Sequence, residues 1–98
     1  MILYSGSRII MSKLIEIKTT IEEALPDSIV YVADPNNDGQ HFEAIVISAS
    51  FSGMMLIKQH QIVMKALKEK LETTVHALAL KTFTPEKWDI EKTNYLRS

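Results

Sequence analysis

The spacing of three β-rich runs constrains this chain most. Ser28 to Ala33 reads SIVYVA, His41 to Ser48 reads HFEAIVIS and Val75 to Phe83 reads VHALALKTF. Such β-branched and aromatic runs predict strands. Only DPNNDGQ, residues 34 to 40, separates the first two. A gap that short, filled with turn formers, closes an antiparallel hairpin. The second and third runs are separated by residues 49 to 74, long enough to hold a helix, so those strands run parallel through a right-handed crossover. The second run carries apolar residues on both faces, Phe42, Ala44 and Val46 on one and Ile45 and Ile47 on the other, which marks it as the central strand.

Helical spacing fills the rest. Leu14, Ile17, Ile21, Ala24 and Leu25 recur at three-and-four intervals after Ser12, a candidate N-cap, and Pro26 with Asp27 ends the helix. A turn at Phe51, Ser52 and Gly53 leads into a second helix from about Met54 to Leu71, with an apolar stripe of Leu56, Val63, Leu67 and Leu71, widened by Met64, that includes His60. Thr84, Pro85 and Glu86 supply a cap, a first-turn proline and a first-turn acid for a short last helix anchored by Trp88. The expected fold is therefore α+β, in the order α-β-β-α-β-α, with a three-stranded mixed sheet and helices on one face. Residues 1–11 are expected to be a disordered lead, 12–92 a single domain and 93–98 a fraying tail. Ninety-eight residues suffice for one modest core.

Composition narrows the chemistry. No cysteine is present, so disulfides, thiolate metal sites built by this chain alone and cysteine nucleophiles are excluded. The net charge of −1 is a poor footprint for phosphate-dominated nucleic-acid binding. Lys58, Lys65 and Lys68 on the second helix could still touch phosphates, although a solvated lysine face explains them as well. No apolar run spans a bilayer and the first ten residues lack a secretory h-region, so a soluble, cytoplasmic protein is expected. No nucleophile elbow or phosphate-cradling glycine pattern appears, and no enzymatic activity is expected.

Two motifs weigh against each other near the hairpin. Asp34 to Gly39 resembles the opening of a calcium loop, but the twelfth position is Ile45 where a bidentate glutamate belongs, so it reads as a polar hairpin loop. His60 reads as a packed histidine on an apolar stripe. His41 and His76 open the two parallel strands, whose starts lie side by side. They read equally as ligands of one metal and as two unrelated surface histidines.

The segment HFEAIVISASFSGMMLIKQHQIVMKALKEKL, followed by VHALALKTFTPEKW, resembles the BolA family over about residues 12 to 90. The resemblance rests on Phe51, Gly53, Lys58, His60, Val63, His76, Ala77, Leu78, Thr84, Pro85, Glu86 and Trp88. It implies a class II KH-like fold and a partnership with monothiol glutaredoxins, in which both proteins share a bridging 2Fe-2S cluster. In that arrangement the glutaredoxin and glutathione supply thiolates, and the BolA-like chain supplies a histidine and one loop ligand. His76 matches the family's histidine directly. The loop position, often Cys or His in the family, corresponds most nearly to Asp38, and the nearest imidazole is His41, which is the expected second ligand. The family also implies an alternative role in transcription, through DNA contacts from a helix-turn-helix-like segment between Gly53 and Leu67. Alone, the chain is expected to be a monomer or weak homodimer.

Overall fold

The computed structural model describes residues 5–71 and 77–96. Helix α1 spans Ser5–Ala24, strand β1 Ile29–Ala33 and strand β2 His41–Ile47. A single 3-10 turn, Ala49–Phe51, precedes α2, Leu56–Leu71; β3 is Ala77–Phe83 and α3 Pro85–Leu96. The sheet order is β1-β2-β3. β1 and β2 pair antiparallel from Ile29 opposite Ile47 to Ala33 opposite Glu43, whereas β2 and β3 pair parallel from His41 opposite Ala77 to Ile47 opposite Phe83. The hairpin, the crossover and the central position of β2 are as the spacing predicts.

The strand alternation sorts side chains to two faces. On one, Val30, Phe42, Ala44 and Val46 pack against Ile17 and Ile21 of α1, Val63 and Leu67 of α2, and Phe51. On the other, Ile47 and Phe83 pack against Trp88 of α3, with Ile45 beside them. The expectation of helices on one face therefore holds for α1 and α2 and is corrected for α3. Ile45 and Ile47 already signalled a second apolar face that needed cover. Aromatic rings complete that cover: Trp88 lies 5.3 Å from Phe83, 5.9 Å from Tyr31 and 6.0 Å from Tyr95, centroid to centroid. Such spacings suit tilted and stacked rings.

Two boundaries and two helix faces differ from expectation. Helix α1 starts at Ser5, so residues 5 to 11 are helical and not a disordered lead. The sequence there holds no proline, and the three-and-four spacing extends back through Ile10. Helix α3 runs on through Leu96, past Lys92. Tyr95 explains this, since its ring packs against both Phe83 and Trp88 and rewards the further turn of helix. In α2, Leu56 is exposed and Gln59 is buried, so the inward stripe is Gln59, Val63 and Leu67. Gln59 is satisfied there: it accepts from the Thr82 hydroxyl at 2.7 Å and donates to the Met54 carbonyl at 3.0 Å. In α1, Ala24 is likewise exposed.

The turn from β2 into α2 is held from three sides. Ser48 is almost fully buried, and its backbone N–H donates to the Phe83 carbonyl at 3.0 Å. Its hydroxyl accepts from the Ser50 N–H at 3.0 Å, capping the 3-10 turn, and donates to Asp27 at 2.9 Å. Gly53 follows with φ +76°, a left-handed conformation that suits glycine. Space is not the constraint, because nothing lies within 4 Å of where its Cβ would be. Replacing Ser48 by alanine should lower stability by about 1 kcal/mol, the usual value of such a cap, read as a fall in denaturant midpoint. The effect has a pH sign. The Ser48 hydroxyl, aided by the Ser50 N–H, holds the Asp27 carboxyl below its ordinary value against the opposing effect of burial. A depressed carboxyl stabilises the fold above its unfolded pKa and loses that contribution as pH falls through its folded pKa. The cost of Ser48→Ala should thus be full at neutral pH and shrink on acidification below about pH 4.

Candidate metal centre

Parallel pairing of β2 and β3 brings their N-terminal ends to the same end of the sheet. His41 and Ala77 are register partners there. Neighbouring strands lie about 4.8 Å apart, so side chains from the two strand starts can approach one point. His76, the residue before Ala77 in the sequence, lies outside the described residues. Beside His41 is an open depression of about 510 Å³ lined by Pro35, Asn36, Phe42, Leu78 and Ala79.

The loop that delivers His41 is closed by two aspartates. Asp34 accepts from the Gly39 N–H at 2.8 Å and from the Asp38 N–H at 3.3 Å, while its carbonyl accepts from Asn37 at 3.0 Å. Asn37 and Gly39 both have positive φ, 54° and 68°. Asparagine and glycine tolerate that region best, which is why the turn is built from them. Asp38 then accepts from the backbone N–H groups of Gln40 at 2.9 Å and His41 at 3.0 Å. Its other oxygen meets the His41 Nδ1 at 2.7 Å. The His41 and Gln40 N–H groups, followed by the His41 ring, hold the Asp38 carboxyl well below the ordinary carboxylate range. Both aspartates are thus occupied within the turn, as expected of a polar hairpin loop.

His41 itself is open, with 56% of its side chain exposed. An ionised carboxylate only accepts, so Nδ1 carries the hydrogen and Nε2 keeps the lone pair when the ring is neutral. Among the described residues no three histidine or acidic side chains gather around one point. A metal here would need further ligands from outside the described residues or from a partner. His60 is half-buried and lines a separate cavity of about 430 Å³ between α2 and α3, with Gln59, Lys81 and Tyr95.

Lys58, Lys65 and Lys68 are all exposed on α2. The segment from Gly53 to Leu67 is a turn followed by one helix, and only a three-residue 3-10 turn precedes it. The expected helix-turn-helix likeness is therefore corrected: among the described residues Ser48, Gly53 and the start of α2 build a capped turn, and the three-residue 3-10 turn ahead of it is too short to serve as a first helix across a DNA backbone. Gln59 and the contact of Asp38 with the His41 ring are what the sequence reading missed. Gln59 carried a signal in its four-residue spacing to Val63 and Leu67.

Residues 13–87 match the family described as BolA-like protein. The chain belongs to the BolA family. Within it, the chain is similar to the DNA-binding transcriptional regulator BolA of Escherichia coli, 38% identical over 55 residues that make up 56% of this chain and 52% of that protein. Human BolA-like protein 1 is 35% identical over 79 residues, 74% of this chain and 58% of that protein. The match thus spans about half the length of these curated BolA relatives. Among solved structures, a BolA homologue from Coxiella burnetii superposes with a TM-score of 0.64 at 31% identity, covering 90% of this chain and 99% of that chain. The matched residues include both parallel strands, which open with His41 and Ala77. No helix among the described residues is long and apolar enough to cross a membrane.

Proposed function

We propose that this BolA-like chain is a non-catalytic iron–sulfur adaptor that binds a monothiol glutaredoxin and shares a bridging 2Fe-2S cluster with it, in cluster trafficking or iron and stress regulation. One observation carries the reading: His41 is exposed, its Nδ1 is tied to Asp38, and its register partner Ala77 directly follows His76 in the sequence. The donor set fits. A cysteine-free chain offers imidazole and carboxylate but no thiolate, so thiolates must come from the glutaredoxin and glutathione. His76 and His41 would be this chain's ligands. Imidazole ligation raises a cluster's reduction potential and makes its retention sensitive to acid, because the ligand must be unprotonated.

Mixing the chain with a monothiol glutaredoxin, glutathione, iron and sulfide tests this. A stable heterocomplex should form, with a visible spectrum distinct from that of the glutaredoxin alone. A spectrum identical to that of the glutaredoxin alone, with no co-elution, would sink the proposal.

A second reading has its own support. The E. coli relative is named a DNA-binding regulator, and Lys58, Lys65 and Lys68 stand exposed on one helix. Three phosphate contacts predict a salt slope of only about −2.7 in log K against log salt. Binding to duplex DNA should therefore be weak, and Lys65→Glu with Lys68→Glu should remove most of it, as fluorescence anisotropy across a salt series would read. Tight, sequence-selective binding at physiological salt would favour the regulator over the adaptor.

A further inference from the structure

We infer that Asp38 is the positioning residue of the candidate centre, holding the His41 ring so that Nε2 is the one nitrogen presented outward. The inference rests on the adaptor reading and refines it: Asp38 is not itself a ligand.

The geometry fixes the ring at both ends. The His41 backbone is locked into β2 by its pairing with β3, and its N–H donates to Asp38 at 3.0 Å. The ring Nδ1 meets the second oxygen of the same carboxylate at 2.7 Å. One aspartate thus sets the backbone and the ring of one histidine together. Asp38 is anchored in turn, since its own N–H and that of Gly39 donate to Asp34. An exposed imidazole without such a partner would rotate and exchange tautomers freely. Here the side chain is 56% exposed yet only one nitrogen is available.

The same bonds remove Asp38 from the ligand set. Oδ1 accepts from two backbone N–H groups and Oδ2 from the ring. Turning either oxygen toward a metal would strand the donors it serves and release the ring. A carboxylate behind an imidazole also makes the opposite nitrogen the better donor, and loss of such a partner commonly weakens metal retention about 10- to 100-fold.

Two variants separate positioning from loop structure. Asp38→Ala removes every acceptor. Asp38→Ser keeps one oxygen that can still accept from the Gln40 or His41 N–H, as hydroxyls do in such turns, but cannot also reach Nδ1. The first readout uses the full chain without metal: long-range proton–nitrogen correlation spectra of the His41 ring at neutral pH. The parent chain should show the Nδ1–H tautomer, and both variants should lose it, with loop amide shifts kept in Asp38→Ser. The second readout is cluster lifetime in the glutaredoxin complex, which should fall about 10- to 100-fold in both variants. If His41→Ala leaves the lifetime unchanged, the ligand reading fails and the positioning role falls with it. If His41→Ala shortens the lifetime but Asp38→Ser keeps the parent tautomer or the parent lifetime, the positioning role alone is overturned.

Discussion

Phe51→Ala should remove about 4 kcal/mol of stability, close to a thousandfold in the folding equilibrium. Phe51 is fully buried, although it sits in a three-residue 3-10 turn and not in a regular strand or helix. It belongs to the cluster formed by Val46 of β2, Ile21 of α1 and Val63 of α2, so its ring wedges three elements together. The connection around it cannot collapse to fill the void. Ser48 is tied to Asp27 and to Phe83 on one side of the ring, and the Met54 N–H donates to the Phe51 carbonyl at 3.0 Å on the other. Small domains hold about 5–15 kcal/mol in total, so the variant should be marginal at room temperature. Urea unfolding followed by circular dichroism reads the effect. A loss below about 1 kcal/mol would show that the ring is dispensable as a wedge, whereas Phe51→Leu, which keeps most of the volume, should cost less than about 2 kcal/mol.

The double variant His41→Ala, His76→Ala should lose the cluster from the glutaredoxin complex altogether. Removing an orienting partner already weakens metal sites about 10- to 100-fold, and removing the ligating ring exceeds that. His76→Ala alone should alter the visible circular dichroism of the complex and shorten cluster lifetime. His41→Ala alone should do the same more weakly if a water or loop oxygen fills its place. The apo fold should survive the His41 change, because that side chain stands mostly in solvent and its burial adds little. Unchanged visible circular dichroism and lifetime in the double variant would remove both histidines from the ligand set, whatever the affinity of the two proteins for each other.

Much of this architecture was legible because the chain states it redundantly. The seven-residue turn, the long amphipathic interval and the two apolar faces of β2 each restrict the topology, and together they leave one sheet order. The faces of the helices were less legible. Leu56 and Gln59 exchange the expected roles because an amide can be buried when a neighbouring strand offers Thr82; the four-residue spacing to Val63 puts Gln59 on that face, but helical period says nothing of the partner that satisfies it. The length of α3 depended on Tyr95 finding Phe83 and Trp88 across space. In the candidate centre, the histidines could be placed at strand starts by counting. Which nitrogen of His41 points outward could not, since that follows from the positive φ values of Asn37 and Gly39, which turn Asp38 back on the ring.

The parallel pairing of β2 with β3 also orders events in time. The β1–β2 hairpin joins residues 10 to 18 positions apart, whereas the register of His41 with Ala77 spans 36 and closes a loop containing all of α2. Closing long loops is slow, because chain entropy is lost before the contacts that repay it exist. Amide protection should therefore appear in β1 and β2 before β3, an order that pulsed hydrogen exchange can read and simultaneous protection would contradict. The meeting of the two strand starts is then among the last events of folding. A newly made chain acquires its hairpin loop, with Asp38 against His41, before it acquires the neighbour that makes that histidine useful, so only chains that have finished folding would offer a partner the complete edge.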